Sequence, residues 1–395
     1  MRPRLTLVLV GLALAAPSVL SREGADAETS SWVGRGGAGA DAPHKRPPAR
    51  SHPKPLDTAP GTPRQSRSEP TTPAPTYRPP VAATLKGQAD PVPNIPPPPV
   101  TGDNTSTVEK TLQTGEDAAY EAFDRGRYLT ALELAAKAAA QSDPQAHTLI
   151  GRIYADGDGV PRNAALAAQW YARGAELGDA QAMFAYGLQL AEGQGVQKNL
   201  NAAAEMFEAA AMRRHPLANY NLALLFITGE GKPENPYRGF MHMRFAAESG
   251  VVVAQYDLGT LYATGTGVPA NAFEAAKWIG KAAAAGDAEA ELDFGVLLFQ
   301  GRGVPPDQKR GAQMFRSAAA QGLSIAQNRL AHCYQHGAGV ETNLVEAATW
   351  HLVAKAGGVE DAGLDALVAG LSKADRAKAQ KAADAWRERA RIAIQ

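Results

Sequence analysis

The sequence predicts an all-α protein, an α-solenoid of helix-turn-helix repeats forming a right-handed superhelix, with a disordered Pro-rich N-terminal region. Three observations support this prediction. A Gly-x-Gly pair recurs six times at intervals of 36 residues, from Gly157/Gly159 to Gly337/Gly339. Around each pair, alanine and larger apolar residues recur with the spacing of buried helix faces. Proline is concentrated before residue 114, where helices and sheets cannot propagate.

Residues 1–21 have the pattern of a secretory signal peptide. Arg2 and Arg4 precede a 12-residue apolar run, Leu5–Ala16, whereas a membrane span needs about 20 residues. Cleavage sites with small residues follow at Ala15 and Ser21. We therefore expect a periplasmic or secreted bacterial protein with no transmembrane segment after cleavage, and an uncleaved membrane anchor is the alternative.

Residues 22–113 are expected to form a disordered Pro-rich linker. They contain 18 of the 28 prolines and too few apolar side chains to offset the entropy of ordering the chain. Between His44 and Arg67, six Lys and Arg residues accompany one acidic residue, Asp57. We interpret this basic portion as a solvated tether. Weak contact with anionic envelope polymers is the alternative.

Residues 146–361 contain six 36-residue repeats, each numbered here from its first alanine (Ala146 in the first repeat) as position 0. Positions 0, +4, +5 and +8 are apolar or small, which predicts a first helix, helix A. The glycine pair ends helix A, because glycine adopts the left-handed conformation at low cost. A second helix, helix B, follows, and its predicted N-cap is an Asn or Asp at position +17. These residues are Asn163, Asn199, Asn235, Asn271, Asp307 and Asn343.

The motif A-x-x-x-L-G-x-x-Y-x-x-G-x-G-V, followed by N-x-x-x-A-x-x-W, resembles the Sel1-like repeat, a relative of the tetratricopeptide repeat. Residues 254–278 (AQYDLGTLYATGTGVPANAFEAAKW) match it best. Residues 114–145 resemble an N-terminal tetratricopeptide hairpin. Residues 362–395 remain in register as a degenerate C-terminal capping repeat, in which Ser372 and Asp375 predict a capping box. The resemblance implies a scaffold or adaptor that assembles complexes or takes part in envelope signalling.

Composition and motifs argue against several other classes of function. The 40 Lys and Arg residues balance 40 Asp and Glu residues, which is unlike a nucleic-acid-binding protein. The single cysteine, Cys333, excludes an intramolecular disulfide framework. His332 and His336 have zinc-ligand spacing but lack the glutamate of a catalytic HExxH motif. We expect no catalytic residue, metal or cofactor, and a cell-envelope hydrolase or peptidoglycan-associated protein is the alternative.

A second face of helix A is the predicted binding surface. Positions +2, +6 and +9 point away from the core stripe at 0, +4 and +8, and in tetratricopeptide-like stacks this face lines the concave groove. In the middle repeats it is apolar, which is typical of a partner site, although a tightly curled superhelix would bury it. The acidic residues Glu289, Glu291 and Asp293 are interpreted as solvating side chains.

The partner is expected to be a protein or peptide whose identity the sequence does not specify, and not a nucleic acid. The predicted groove residues are Arg152, Phe184, Leu188, Tyr220, Leu224, Ile227, Tyr256, Leu292, Phe299 and His332.

Overall fold

The computed structural model describes residues 115–394. The predicted signal peptide (1–21) and linker (22–113) lie outside the described residues. Within that range the secondary structure consists of sixteen helices without a strand. None of these sixteen combines the length and the apolar character that crossing a lipid bilayer requires.

The helices pack in tandem. From α1 to α14, each helix packs against the next one along the chain, and α14 contacts both α15 and α16. This arrangement confirms the predicted α-solenoid. The helices are α1 (Gly115–Asp124), α2 (Tyr128–Ala139), α3 (Pro144–Asp156), α4 (Ala164–Glu176), α5 (Ala180–Glu192), α6 (Leu200–Met212), α7 (Pro216–Thr228), α8 (Pro236–Glu248), α9 (Val252–Thr264), α10 (Ala272–Ala284), α11 (Ala288–Gln300), α12 (Gln308–Ala320), α13 (Ser324–His336), α14 (Leu344–Ala356), α15 (Ala362–Gly370) and α16 (Lys373–Ile394).

An N-cap side chain lies at the start of each B helix. These helices are α4, α6, α8, α10, α12 and α14. The Oδ1 atom of Asn199, for example, accepts a hydrogen bond from the Ala202 N–H at 3.0 Å, which satisfies one of the donors that a helix start leaves unpaired. The equivalent residue caps every other B helix of the six repeats. The N-cap prediction is therefore confirmed.

The glycine pairs end the A helices and bring the loops close to the preceding repeat. Gly301 ends α11 in the left-handed conformation, with a φ of 64°. Gly303, with a φ of 73°, lies so close to α10 that a Cβ there would overlap the Ala272 carbonyl group. Glycine is thus required at the second position both for its backbone conformation and for the close approach.

Small residues at position +5 set the distance between helix A and helix B of the same repeat. A Cβ at Gly187 on α5 would lie 2.7 Å from the Phe207 ring on α6, and one at Gly295 on α11 would lie 2.6 Å from the Phe315 ring on α12. Both phenylalanines are fully buried. The missing side chain therefore makes room for an aromatic ring in the core.

Candidate functional site

The ten predicted groove residues divide into two groups. Phe184, Tyr220 and Leu224 are buried, with exposed fractions of 1, 2 and 1%. The remaining seven residues keep part of their surface accessible: Arg152, Leu188, Ile227, Tyr256, Leu292, Phe299 and His332. Of these ten positions, three in the second and third repeats are therefore covered, and the other seven are partly open. That these residues contact a partner stays a prediction.

The next repeat covers each of two aromatic residues at position +2. The Phe184 ring on α5 stacks on the His215 ring, with centroids 4.6 Å apart and planes at 25°. Tyr220 on α7 reaches α9, where its Oη donates a hydrogen bond to Asp257 Oδ2 at 3.0 Å. Because these covering groups lie more than 30 residues further along the chain, the periodicity of one helix does not reveal them.

A second tyrosine–aspartate pair continues along the stack. Tyr256 Oη on α9 donates to Asp293 Oδ2 on α11 at 2.8 Å. Burial, and secondly the adjacent carboxylate, raises the pKa of both Tyr220 and Tyr256 above the ordinary value. Both hydroxyls are therefore protonated donors at neutral pH, and the two hydrogen bonds join three successive A helices.

The acidic side chains of α11 correct one interpretation from the sequence. Glu291 is only 5% exposed, and its carboxylate accepts hydrogen bonds from Ser317 Oγ at 2.7 Å and Gln321 Nε2 at 2.9 Å. Asp293 accepts the bond from Tyr256. The solvating interpretation was wrong for these two residues, because partners from neighbouring helices satisfy them, and it holds for the exposed Glu289.

At the C-terminal end of the repeats, an aspartate ties the A face to the capping helix α15. Asp361 accepts hydrogen bonds from His332 Nε2 at 2.7 Å and Asn328 Nδ2 at 3.2 Å, and it also caps α15 through the Leu364 N–H. Burial alone would raise the pKa of Asp361, but these three hydrogen bonds together hold it below its usual value. His332 is therefore engaged within the protein.

A pocket of about 560 Å³ opens between α9, α10 and α11, within the size range of small-ligand sites. Thr260 of α9 and Val296 of α11 line it, and both occupy position +6 of the predicted face. Ile279 of α10 also lines it. Ile279 is only 5% exposed, so its assignment to the core from the sequence is correct, and its place beside the pocket follows from how the three helices pack.

The acidic side chain and the N–H-bearing side chains of the pocket lie in different parts of it. Asp293, in the middle of α11, contributes a carboxylate, whereas Asn271, Gln300 and Arg302 lie towards the loops and carry side-chain N–H groups. A pocket with an apolar wall and separated acceptors and donors suits a segment of polypeptide better than a purely apolar ligand.

The histidine and cysteine candidates form no shared ligand set. The His332 and His336 rings lie 6.0 Å apart, and no group of three His, Cys, Asp or Glu side chains suited to a metal occurs among the described residues. Cys333 is 1% exposed, as expected from its apolar position. Burial, opposed by Arg329 and Arg316, raises the pKa of its thiol to about 12.

Comparison with known proteins identifies the repeat. The family model described as the Sel1 repeat matches residues 144–179, 180–215, 216–251, 252–287, 288–323 and 324–359, which together are more than half of the chain. A search of curated protein sequences finds no significant match.

Solved structures show the same fold. A Sel1 repeat protein from Oxalobacter formigenes is 31% identical over 62% of this chain and 99% of its own, with a TM-score of 0.55. A protective antigen present in uropathogenic Escherichia coli strains, which displays an SLR fold, is 27% identical over 69% of this chain and 68% of its own, with a TM-score of 0.50.

Proposed function

Because this chain belongs to the Sel1 repeat family, we propose that it is a non-enzymatic scaffold or adaptor that binds a protein or peptide on the A-helix face. Sel1 repeats generally mediate protein–protein interaction, and their fold is a typical non-catalytic scaffold. The proposal includes a periplasmic or secreted location and a role in envelope assembly or signalling. The signal-peptide pattern of residues 1–21 supports that location.

The pocket between α9, α10 and α11 is the observation that carries the proposal. Thr260, Ala263 and Val296 of the predicted face line it together with residues of α10 and the loops, although none of the ten predicted groove residues does, and Val296 and Leu297 remain partly exposed. A monomeric protein gains stability by burying apolar side chains, so a concave surface that leaves them accessible is typical of a binding site. Repeat proteins commonly use such surfaces to bind extended segments.

Replacing an apolar residue of the pocket by a charged one tests this function. Val296→Arg places a bulky cation at the apolar wall and is expected to reduce partner capture from a native envelope extract at least about tenfold, as loss of a central contact does. Met241→Arg is the matched control, because Met241 on the helix-B side is 37% exposed. Circular dichroism is expected to be the same for both variants.

The supporting result is a protein captured by the unmodified chain and by Met241→Arg but not by Val296→Arg. Equal capture by all three chains would show that this pocket does not bind the partner.

A further inference from the structure

Basic residues are concentrated on three consecutive B helices. The helices α8, α10 and α12 contain seven Lys and Arg residues but only two acidic ones, Glu248 and Glu274. Of the flanking B helices, α6 has two Glu and no Lys or Arg, and α14 has one Glu and one Lys. The neutral total charge of the chain therefore hides a local basic surface. The seven residues are Arg238, Arg244, Lys277, Lys281, Lys309, Arg310 and Arg316.

Most of these cations keep their charge available. Arg238, Arg244 and Lys277 form ion pairs of 3.9, 3.7 and 3.0 Å with glutamates. Arg316 donates a hydrogen bond to the Tyr334 hydroxyl, which does not neutralise its charge. Four of the seven are exposed and pair with no Asp or Glu in the part of the chain that the structure describes: Lys281, Lys309, Arg310 and Arg316.

Two exposed aromatic side chains lie in the same surface. Tyr237 on α8 and Phe273 on α10 both occupy position +19 of their repeats and are 64 and 65% exposed, and Met241, one turn after Tyr237, is 37% exposed. The loop of the following repeat packs on each helix start. A Cβ at Gly267 would lie 3.0 Å from the Tyr237 backbone N, and one at Gly303 would lie 3.0 Å from the Phe273 backbone N. Both rings therefore project outwards from a backbone that is held in place.

The cations and the aromatic rings share one side of the stack. Lys277 and Lys281 follow Phe273 at intervals of four residues, so the three side chains lie on one face of α10. The equivalent face of α12 carries Lys309 and Arg316. Successive repeats of a solenoid place equivalent positions on the same side. The surface therefore combines positive charge with exposed apolar side chains across three helices.

A lipid bilayer containing anionic lipids fits this combination better than a peptide does. The charges extend across three helices instead of following one groove, as contact with a planar surface requires. Lys and Arg have long side chains that can extend towards lipid phosphates. Aromatic rings are favoured at the level of the headgroups, where one end is apolar and the other hydrated. Contact of this kind is peripheral, because only side chains enter the interface.

We propose that the surface formed by α8, α10 and α12 binds the face of a lipid bilayer containing anionic lipids, with Tyr237 and Phe273 inserted between headgroups and Lys281 and Lys309 at the lipid phosphates. None of these four residues lines the pocket between α9, α10 and α11, so the inference does not depend on the proposed function. Lipid and a protein partner use separate surfaces.

A fluorescent probe at residue 273 tests the contact directly. In Phe273→Cys the new thiol is labelled with an environment-sensitive fluorophore, whereas Cys333 is buried and is not expected to react. Vesicles of phosphatidylglycerol and phosphatidylcholine in equal parts are expected to raise the emission at least about twofold as the probe leaves water. Vesicles of phosphatidylcholine alone are expected to leave it unchanged. Glu289→Cys, labelled in the same way, is the matched control, because Glu289 is exposed on the A helix α11.

Vesicle sedimentation of the full chain measures the contribution of charge. K281Q/K309Q is expected to lower the affinity for the phosphatidylglycerol vesicles at least about tenfold, since each cation near an anionic surface contributes about fivefold. K137Q/K198Q removes two exposed lysines outside the surface and is expected to leave the affinity unchanged. The basic residues 44–67 are the same in all these chains, so the difference between the two double variants reports on the repeats.

The same assay measures the contribution of the aromatic rings. Y237S/F273S is expected to lower the affinity about tenfold, because it removes the apolar groups that enter the interface. L129S/I325S is the matched control, since Leu129 and Ile325 are 48 and 44% exposed elsewhere in the stack. Circular dichroism is expected to be the same for both variants.

Several results would overturn the proposal: unchanged emission at residue 273, an equal rise at residue 289, or double variants of the surface that bind the vesicles as well as their controls do. Emission that rises with poly-glutamate but not with the vesicles would identify an acidic polypeptide as the occupant instead. Capture that depends on Val296 tests the pocket separately, and its outcome does not affect this assignment.

Discussion

His215 caps α7 with its imidazole ring, whose Nδ1 accepts a hydrogen bond from the Ala218 N–H at 3.1 Å. Nε2 lies 2.9 Å from Gln181 Oε1, so the neutral tautomer with the proton on Nε2 satisfies both contacts. The corresponding residues before α5 and α11 are Asp179 and Asp287, which cap with carboxylates. One repeat therefore has a titratable cap that works only when it is uncharged.

This cap predicts a loss of stability in mildly acidic solution. Burial lowers the pKa of His215 below 6.5, with Asp179 opposing the shift, and burial together with Arg238 also lowers the pKa of His242. As the pH falls below about 6.5, the unfolded chain binds these protons first, so the free energy of unfolding decreases. Carboxylates with a lowered pKa, such as Asp361, lose their contribution only below their ordinary value of 3.8.

Urea unfolding between pH 7.5 and pH 5 measures the effect of the His215 cap. The His215→Asn variant retains an N-cap side chain that does not titrate, so its free energy of unfolding is expected to depend less on pH. An unchanged pH dependence would contradict the role of His215. His215→Ala is expected to cost about 1 kcal/mol at pH 7.5.

Gly303→Ala is expected to destabilise the protein by about 2–4 kcal/mol. The substitution combines an unfavourable positive φ with an overlap against the Ala272 carbonyl. Gly286→Ala is the matched control, because Gly286 has a φ of 88° and open space around the position of a Cβ. Gly286→Ala is expected to lower the free energy of unfolding by about 1 kcal/mol, because only the positive φ is unfavourable there. Equal losses in denaturant unfolding would mean that the close approach of the loop contributes nothing.

Tyr256→Phe is expected to lower the free energy of unfolding by about 1 kcal/mol, because it removes the hydrogen bond to Asp293 while keeping the ring. Tyr237→Phe serves as the comparison, since Tyr237 is 64% exposed, and little change is expected there. Denaturant unfolding of both variants measures the difference. A loss of the same size in both would argue against a structural role for the Tyr256–Asp293 pair.

Cys333 is expected to react with a maleimide reagent only when the protein unfolds. Its thiol is buried, and a pKa of about 12 leaves almost no thiolate at neutral pH. Labelling followed by mass spectrometry should be slow in buffer and rapid in concentrated urea. Rapid labelling of the native chain would show that α13 opens readily.

The folded repeat could be predicted almost completely, because its determinants act over short distances along the chain. Asn199 caps α6 through the N–H three residues later, and Gly301 ends α11 through its own backbone conformation. A repeated sequence that satisfies such local rules predicts each helix and its place in the stack.

The candidate site was only partly predictable from the sequence. The period of helix A identified Val296 and Tyr256 as residues on its second face, but the contribution of Ile279 from α10 required the packed structure. Glu291 resembled a solvated acid in sequence, and its partners Ser317 and Gln321 lie 26 and 30 residues away.

The sequence by itself determined the repeat length, the helices and their caps, since these depend on neighbouring residues and on backbone conformation. Only the tertiary structure decided which parts of the A-helix face are covered. Phe184 and Tyr220 are buried while Tyr256 is partly exposed, although all three occupy position +2. The physical reason is that the burial of each depends on the side chains that the following repeat places over it.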